Sequence, residues 1–326
     1  MSEPDDIEVA RDAYAQVQPL YSRLASEIRD ILEVKIAAAR LTPVSLTSRT
    51  KTPESFAAKI GRKKYTNPLS QMTDLAGVRM VSAYESELAK ITEIIEAVFD
   101  VQDRIDKARD LGVDRMGYNG KAYVVRLGAR YAGGRYEGIT DINCEIQVRT
   151  VLQDAWAIIN HQLVYKNEES TPERLRRDLN NVASLLEIAQ GIFDSVREKR
   201  NAYVSEIRRK ENDQSAFLAQ PLDFDTVMAY TRWKFPDLDA SVNLTQMLLK
   251  DIDLKTYPTL QELDAVVDHA RAAVAVYQKE NPDWFKTGTD FLTKSLGFVD
   301  PKFRAKHGFA ARTRAAFDKF QNLITR

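Results

Sequence analysis

The sequence predicts an α+β fold, a mixed β-sheet flanked by helices, followed by an all-helical C-terminal region. Three observations predict it. Strand-like runs fall in the first half of the chain: AGVRMVSAY (76–84), KAYVVRLGARY (121–131) and NCEIQVRT (143–150). Apolar residues at three-and-four spacing precede and follow them. Beyond about residue 226 the period is helical throughout. This reading places one domain at 1–211, a linker at 212–225 and a helical domain at 226–326.

Taken in order, residues 5–39 carry Val17, Leu20, Tyr21, Leu24, Ile28, Ile31 and Leu32 on one helix face. After Pro43 the chain turns polar. Thr52, Pro53 and Glu54 then supply an N-cap, a first-turn proline and an early acid, which starts a second helix. The strand at 76–84 follows directly behind Asp74, and a helix is expected at about 85–99. DRIDKARDLGVDRMGYNG reads as a loop, and the glycines of AGGRYEGITD suit a hairpin-like connection between the next two strands. From Val151 the period is helical again, with Ala155, Trp156, Ile159 and Leu163 on one face. A longer helix, about 172–210, carries Leu175, Leu179, Val182, Leu186, Ala189, Phe193 and Val196 on its apolar stripe. NDQSAFLAQPLDFD is polar and contains proline, hence the linker. Further helix starts are expected at Thr259 and at Asn281-Pro282, and Trp233, Phe235, Trp284 and Phe285 suit the core of a helical bundle.

At 326 residues, with 29% charged and 44% hydrophobic residues, the chain has the profile of a globular protein. Lys plus Arg and Asp plus Glu number 47 each, so no net charge attracts nucleic acid or membrane. No apolar run approaches the roughly 20 residues that span a bilayer. The N-terminus MSEPDDIEVARD is unlike a secretory signal, and a single cysteine, Cys144, forms no intrachain disulfide. These features point to the cytoplasm. Three histidines leave little material for a histidine-rich metal site.

Three constellations carry candidate chemistry. Ser55 and Lys59 share a face of the second helix, with Arg49 and Lys51 just before it. Cations converging on a helix N-terminus suit a polyphosphate, although a solvated basic stretch is commoner on spacing alone. Asp74 stands at the entrance to a strand that carries Arg79. Together with Glu145 from another strand it could supply the one or two carboxylates magnesium prefers, and a turn aspartate is an equal reading. Tyr118, between glycines in GYNG, is free to present its ring to a base or to pack in a tight turn. In CEIQVRT, Glu145, Gln147 and Arg149 share the strand face opposite Cys144, Ile146 and Val148. Such a face is either solvated or lines a polar cleft.

In order and spacing, SRTKTPESFAAKIGRK, DLAGVRMV, GYNG and EIQVRT followed by WAIINHQLVYK resemble the synthetase domain of the RelA/SpoT family over about 20–210. That resemblance implies a nucleotidyltransferase-like fold. It implies transfer of the β,γ-pyrophosphate of ATP to the 3′-hydroxyl of GDP or GTP, which makes the guanosine alarmones (p)ppGpp and releases AMP. It assigns Mg²⁺ to Asp74 and Glu145, with Glu145 also orienting or deprotonating the hydroxyl. It gives the adenine ring to Arg49 and Arg79, and the ATP phosphates to Lys51, Ser55 and Lys59. The acceptor nucleotide falls to Tyr118, Gln147 and Arg149, with the guanine stacked on Tyr118. His161 matches a family histidine and is expected to be packed and structural.

One departure bears on the acceptor. The family motif usually runs Tyr-x-Ser-x-His, and its histidine helps hold the acceptor's phosphates; here Gly120 and Ala122 stand at those places. Lys121 or Arg115 are candidate replacements, although Lys121 should point to the opposite sheet face from Ala122. Two alternatives follow, a toxic relative acting on the tRNA 3′ end or on an adenosine nucleotide, and an inactive nucleotide-binding module. A tRNA substrate needs a basic surface, for which KIGRKK (59–64), RLRR (174–177) and the basic residues of 197–210 are candidates. No His-Asp metal domain of the alarmone-hydrolysing kind is expected, since no histidine precedes His161 and Asp268-His269 stands reversed and alone. For 226–326 three roles stay open: making a homo-oligomer, binding a partner, or restraining a toxic synthetase from within.

Overall fold

The computed structural model describes residues 4–62, 65–106, 120–163 and 172–324. The chain divides into two compact units, Met1–Val196 and Arg197–Arg326.

The first unit opens with helix α1 (Pro4–Ala38), strand β1 (Ser45–Thr50), α2 (Pro53–Arg62) and the single-turn α3 (Pro68–Gln71). Then come β2 (Ala76–Ser82), α4 (Leu88–Val98), β3 (Asp100–Asp106), β4 (Lys121–Arg126), β5 (Cys144–Thr150) and α5 (Val151–Leu163). The strands make one five-stranded sheet in the order β1-β2-β5-β4-β3. β2 and β5 pair parallel and the other neighbours antiparallel, so the sheet is mixed, as expected. One face is apolar. Ala76, Val78 and Met80 of β2 and Cys144, Ile146 and Val148 of β5 pack there against Leu24, Ile28 and Leu32 of α1 and Ile91 and Ile95 of α4.

The sequence reading missed two strands, and they are the two edges of this sheet. β1 is SLTSRT, read as a polar passage, and β3 includes Asp103–Asp106, read as loop. Edge strands bond on one side only and tolerate the polar and charged residues that disguise them. Residues 107–119 of that expected loop, including Tyr118, lie outside the described residues.

Helix α6 spans Glu173–Lys210. Its expected apolar stripe is only partly used. Leu179, Ala183 and half-buried Leu186 pack with Trp156 and Leu152 of α5, whereas Leu175, Val182, Leu185, Ile188, Ile192, Phe193 and Val196 are exposed.

The second unit begins earlier than the expected boundary after 211. Ile207, near the end of α6, is buried with Phe217 and Leu222 in that unit's own core. Residues 212–225 are therefore packed rather than a linker, and they hold a short helix, α7 (Gln214–Leu218). The remaining helices are α8 (Phe224–Lys234), α9 (Val242–Asp251), α10 (Leu260–Glu280), α11 (Gly288–Val299), α12 (Pro301–Lys306) and α13 (Ala311–Lys319). Thr259 caps α10, with Glu262 completing the capping box, as its sequence suggests. Asn281-Pro282 starts only a 3₁₀ turn, and the next long helix waits for the Thr287–Asp290 capping box. Phe285 is buried, while Trp233, Phe235 and Trp284 pack at the margins of two clusters. No described helix is long and apolar enough to cross a membrane.

Candidate nucleotide site

Strand register builds the site. Because side chains alternate, residues paired across neighbouring strands share a face. Arg49 pairs with Gly77, Gly77 with Glu145, and Glu145 with Val124. The next row on the same face is Thr47, Arg79, Gln147 and Ala122. Beyond it Val81 pairs with Arg149. The polar face expected for Glu145, Gln147 and Arg149 thus extends over four strands and gathers Arg49 and Arg79 from others. Glycine at 77 leaves room for Arg49, whose Cγ lies 3.4 Å from where a Cβ would sit.

At one edge lies a lysine–carboxylate cluster. Lys51 Nζ is 2.9 Å from Asp74 Oδ2, and Lys59 Nζ is 2.9 Å from Asp74 Oδ1. Lys59 reaches it from α2, whose start is fixed by the Thr52 hydroxyl accepting from the Ser55 amide. Ser55 is exposed at that helix start. Lys51 is held through its backbone: its amide donates to the Leu75 carbonyl, and its own carbonyl accepts from Tyr14 Oη (2.7 Å) and Gln18 Nε2 (3.1 Å). Burial, then Tyr21 and Asp74, pushes the Tyr14 phenol up to about 12, so it stays a donor at neutral pH. Burial by itself would raise the Asp74 carboxyl, but the Lys59 and Lys51 contacts outweigh it and hold the group below its ordinary value.

Toward the other edge, Gln147 Nε2 donates to Glu145 Oε1, while Gln147 Oε1 is buried without a partner among the described residues. Gly120, Lys121, Ala122, Glu145, Gln147, Arg149 and Ile105 line a recess there. Lys121 pairs with Val148 and so belongs to the opposite face from Ala122, as expected. Gly120 is required by close approach: a Cβ would collide with the Arg149 side chain and the Val148 carbonyl.

The structure therefore brings Arg49, Arg79, Glu145, Gln147 and Arg149 onto one face, and Lys51, Lys59 and Asp74 into one cluster beside it. Asp74 and Glu145 have separate partners, lysines for the first and Gln147 for the second. Among the described residues no group of three or more His, Cys, Asp and Glu is placed to hold a metal. His161 is exposed on α5 rather than packed.

Asp154 was missed. Its Oδ1 lies 3.3 Å from both Arg79 Nη1 and Arg149 Nη1. The only signal in the sequence is an acidic residue in the first turn of the helix that follows EIQVRT. Burial first and then Arg79 lower the Arg149 guanidinium's pKa, opposed by Asp154 and Glu145.

Comparison with known proteins bears on the family and the fold. Residues 48–170 match the family model described as the region found in RelA/SpoT proteins. The chain is 26% identical over 144 residues to the GTP pyrophosphokinase YwaC of Bacillus subtilis, covering 42% of this chain and 66% of that protein. It is 31% identical over 149 residues to the uncharacterized protein Rv1366 of Mycobacterium tuberculosis, covering 44% and 48%. The match thus spans just under two thirds of the first relative and about half of the second. Among solved structures, small alarmone synthetase 1 of Bacillus subtilis bound to its product pppGpp superposes with a TM-score of 0.50 at 21% identity, covering 58% of this chain and 98% of that one. A GTP pyrophosphokinase family protein of Streptococcus pneumoniae gives a TM-score of 0.50 at 21% identity, covering 59% and 96%. Residues 48–170 therefore match the RelA/SpoT region, and over somewhat more than half of the chain the fold is that of the small alarmone synthetases.

Proposed function

We propose that this chain transfers pyrophosphate from ATP to the 3′-hydroxyl of GDP or GTP, making (p)ppGpp and releasing AMP. The observation that carries this reading is the single polar sheet face holding Arg49, Arg79, Glu145, Gln147 and Arg149, with Lys51, Lys59 and Asp74 at its edge. Such a transfer depends chiefly on positioning and charge neutralisation. Arg49 and Arg79 offer guanidinium planes to the adenine. Lys51 and Lys59 pass from Asp74 to the ATP phosphates, with Ser55 at the helix start as a further donor. Glu145 takes the proton of the 3′-hydroxyl as its oxygen bonds to the β-phosphorus and the bond from that phosphorus to the α-bridging oxygen breaks. Gln147 and Arg149, with Tyr118, hold the acceptor.

Asp74 and Glu145 would hold Mg²⁺, since carboxylate oxygens suit that hard cation. When bound, Mg²⁺ offsets charge on the transferring phosphates.

A second reading keeps the donor half and changes the acceptor. Ala122 stands beside Gln147 on the polar face and brings neither charge nor hydrogen bond to the recess. An acceptor without a 5′ polyphosphate there, such as the tRNA 3′ end, is compatible with that wall, and an adenosine nucleotide is the other alternative acceptor. An inactive nucleotide-binding module is the remaining reading. The test incubates the protein with γ-labelled ATP and Mg²⁺ and offers GDP, GTP, ADP or deacylated tRNA. Label in a guanosine product supports the proposal, label in tRNA or ADP moves the acceptor, and no transfer overturns it.

A further inference from the structure

Asp154 brings together two arginines that the chemistry uses separately. Arg79 comes from β2 and Arg149 from β5, and both meet the same oxygen, Asp154 Oδ1, at 3.3 Å. All three side chains are largely shielded, at 29%, 19% and 18% exposed for Arg79, Arg149 and Asp154. Two guanidiniums this close repel, and a shared carboxylate is what keeps them on one surface. The carboxylate itself is fixed. The Thr150 amide donates to Gln153 Oε1 at 2.9 Å and the Gln153 amide to Thr150 Oγ1 at 3.2 Å, a buried reciprocal cap that locks the start of α5 to the end of β5. Asp154 is the next residue. Both contacts are longer than the roughly 2.7–2.9 Å of a strong charge-assisted hydrogen bond, so each arginine holds the oxygen incompletely.

We propose that Asp154 is a positioning residue that couples the two nucleotide subsites, a role that rests on the assignment of Arg79 to the donor and Arg149 to the acceptor. A ligand that engages one arginine leaves the shared oxygen to the other and orders it. Each nucleotide therefore tightens the binding of its partner, and by linkage the two effects are equal.

The test titrates the full-length chain with α,β-methylene-ATP, which lacks the scissile oxygen bridge, in the presence and absence of GDP, by calorimetry with Mg²⁺. In the wild type, GDP tightens analogue binding about fivefold or more. In Asp154→Asn the ratio falls to about one, and the KM values for both substrates rise about tenfold while kcat changes less. A role confined to stability would lower the melting temperature and leave the ratio intact. Asp154→Glu, which keeps the charge one methylene away, recovers part of the ratio and carries the same test if the asparagine variant does not fold. A wild-type ratio of one, or a variant that keeps the wild-type ratio, overturns the inference while leaving pyrophosphate transfer untouched. A wild type that transfers nothing to GDP or GTP overturns the proposed function, and the coupling with it.

Discussion

The two ends of the polar sheet face are built differently. At the β1–α2 end, Lys51 and Lys59 share the one Asp74 carboxylate, which leaves a net positive charge, and Lys51 is tied to α1 through its backbone. Toward β4, Gly120 and Ala122 contribute no polar side chain, and the buried Gln147 Oε1 has no partner among the described residues. A closed ion-pair network resembles a site waiting to exchange one anion for another. An orphaned acceptor beside an alanine resembles a site whose ligand supplies the missing donor. Under the proposed function, the β1–α2 end assigned to the donor has its charges in place, while the end assigned to the acceptor leaves chemistry to the ligand.

The strongest challenge to this contrast is Glu145→Gln, since Glu145 stands where the halves meet. It should keep the fold and lower transfer about a thousandfold or more, read from label transfer beside circular dichroism. Full turnover would remove Glu145 from the chemistry. Gly120→Ala acts first on the end assigned to the acceptor, through Arg149. The collision with Arg149 and the Val148 carbonyl should cost about 1–3 kcal/mol of stability and raise the acceptor KM more than the ATP KM, measured by thermal unfolding and steady-state kinetics. Equal effects on both KM values would erase the distinction between halves. Ala122→His should hold or improve the use of GDP by a few-fold, an effect of about 1 kcal/mol; a sharp loss counts against a guanosine diphosphate acceptor.

The smallest effect belongs to pH. Asp74 has a folded pKa below its ordinary value, so its contribution to stability is complete above about pH 4, the unfolded carboxyl value, and is lost as pH falls through the folded value. The melting-temperature difference between wild type and Asp74→Asn should be largest near neutrality and shrink in acid. A difference that grows in acid would contradict the lysine contacts.

The central strands were legible because their inward residues alternate with polar ones or run apolar, as in CEIQVRT and AGVRMV. The edge strands were not, since SLTSRT and DVQDRID bury little and read as polar chain. Lys51, Lys59 and Asp74 were visible in the sequence as types and spacing, but the Lys–Asp–Lys network was not, because it joins the end of β1, α2 and the approach to β2. Asp154 escaped for a similar reason: its two partners come from different strands, and only register brings them together. Gly120 was visible as a departure from a motif, whereas its cause, the Arg149 side chain crossing over it, needed coordinates. The stripe on α6 was correctly amphipathic in pattern, and periodicity says nothing of whether a face is covered.

Cys144, the chain's one cysteine, lies fully buried in β5, next to Glu145. Burial first, and Glu145 second, raise its thiol well above the ordinary value, which leaves little thiolate to react. Alkylation of this protein therefore has to wait for the middle of the sheet to open. The rate of labelling by a thiol reagent becomes an intrinsic clock for that opening, and ligands that clamp the strands together should slow it.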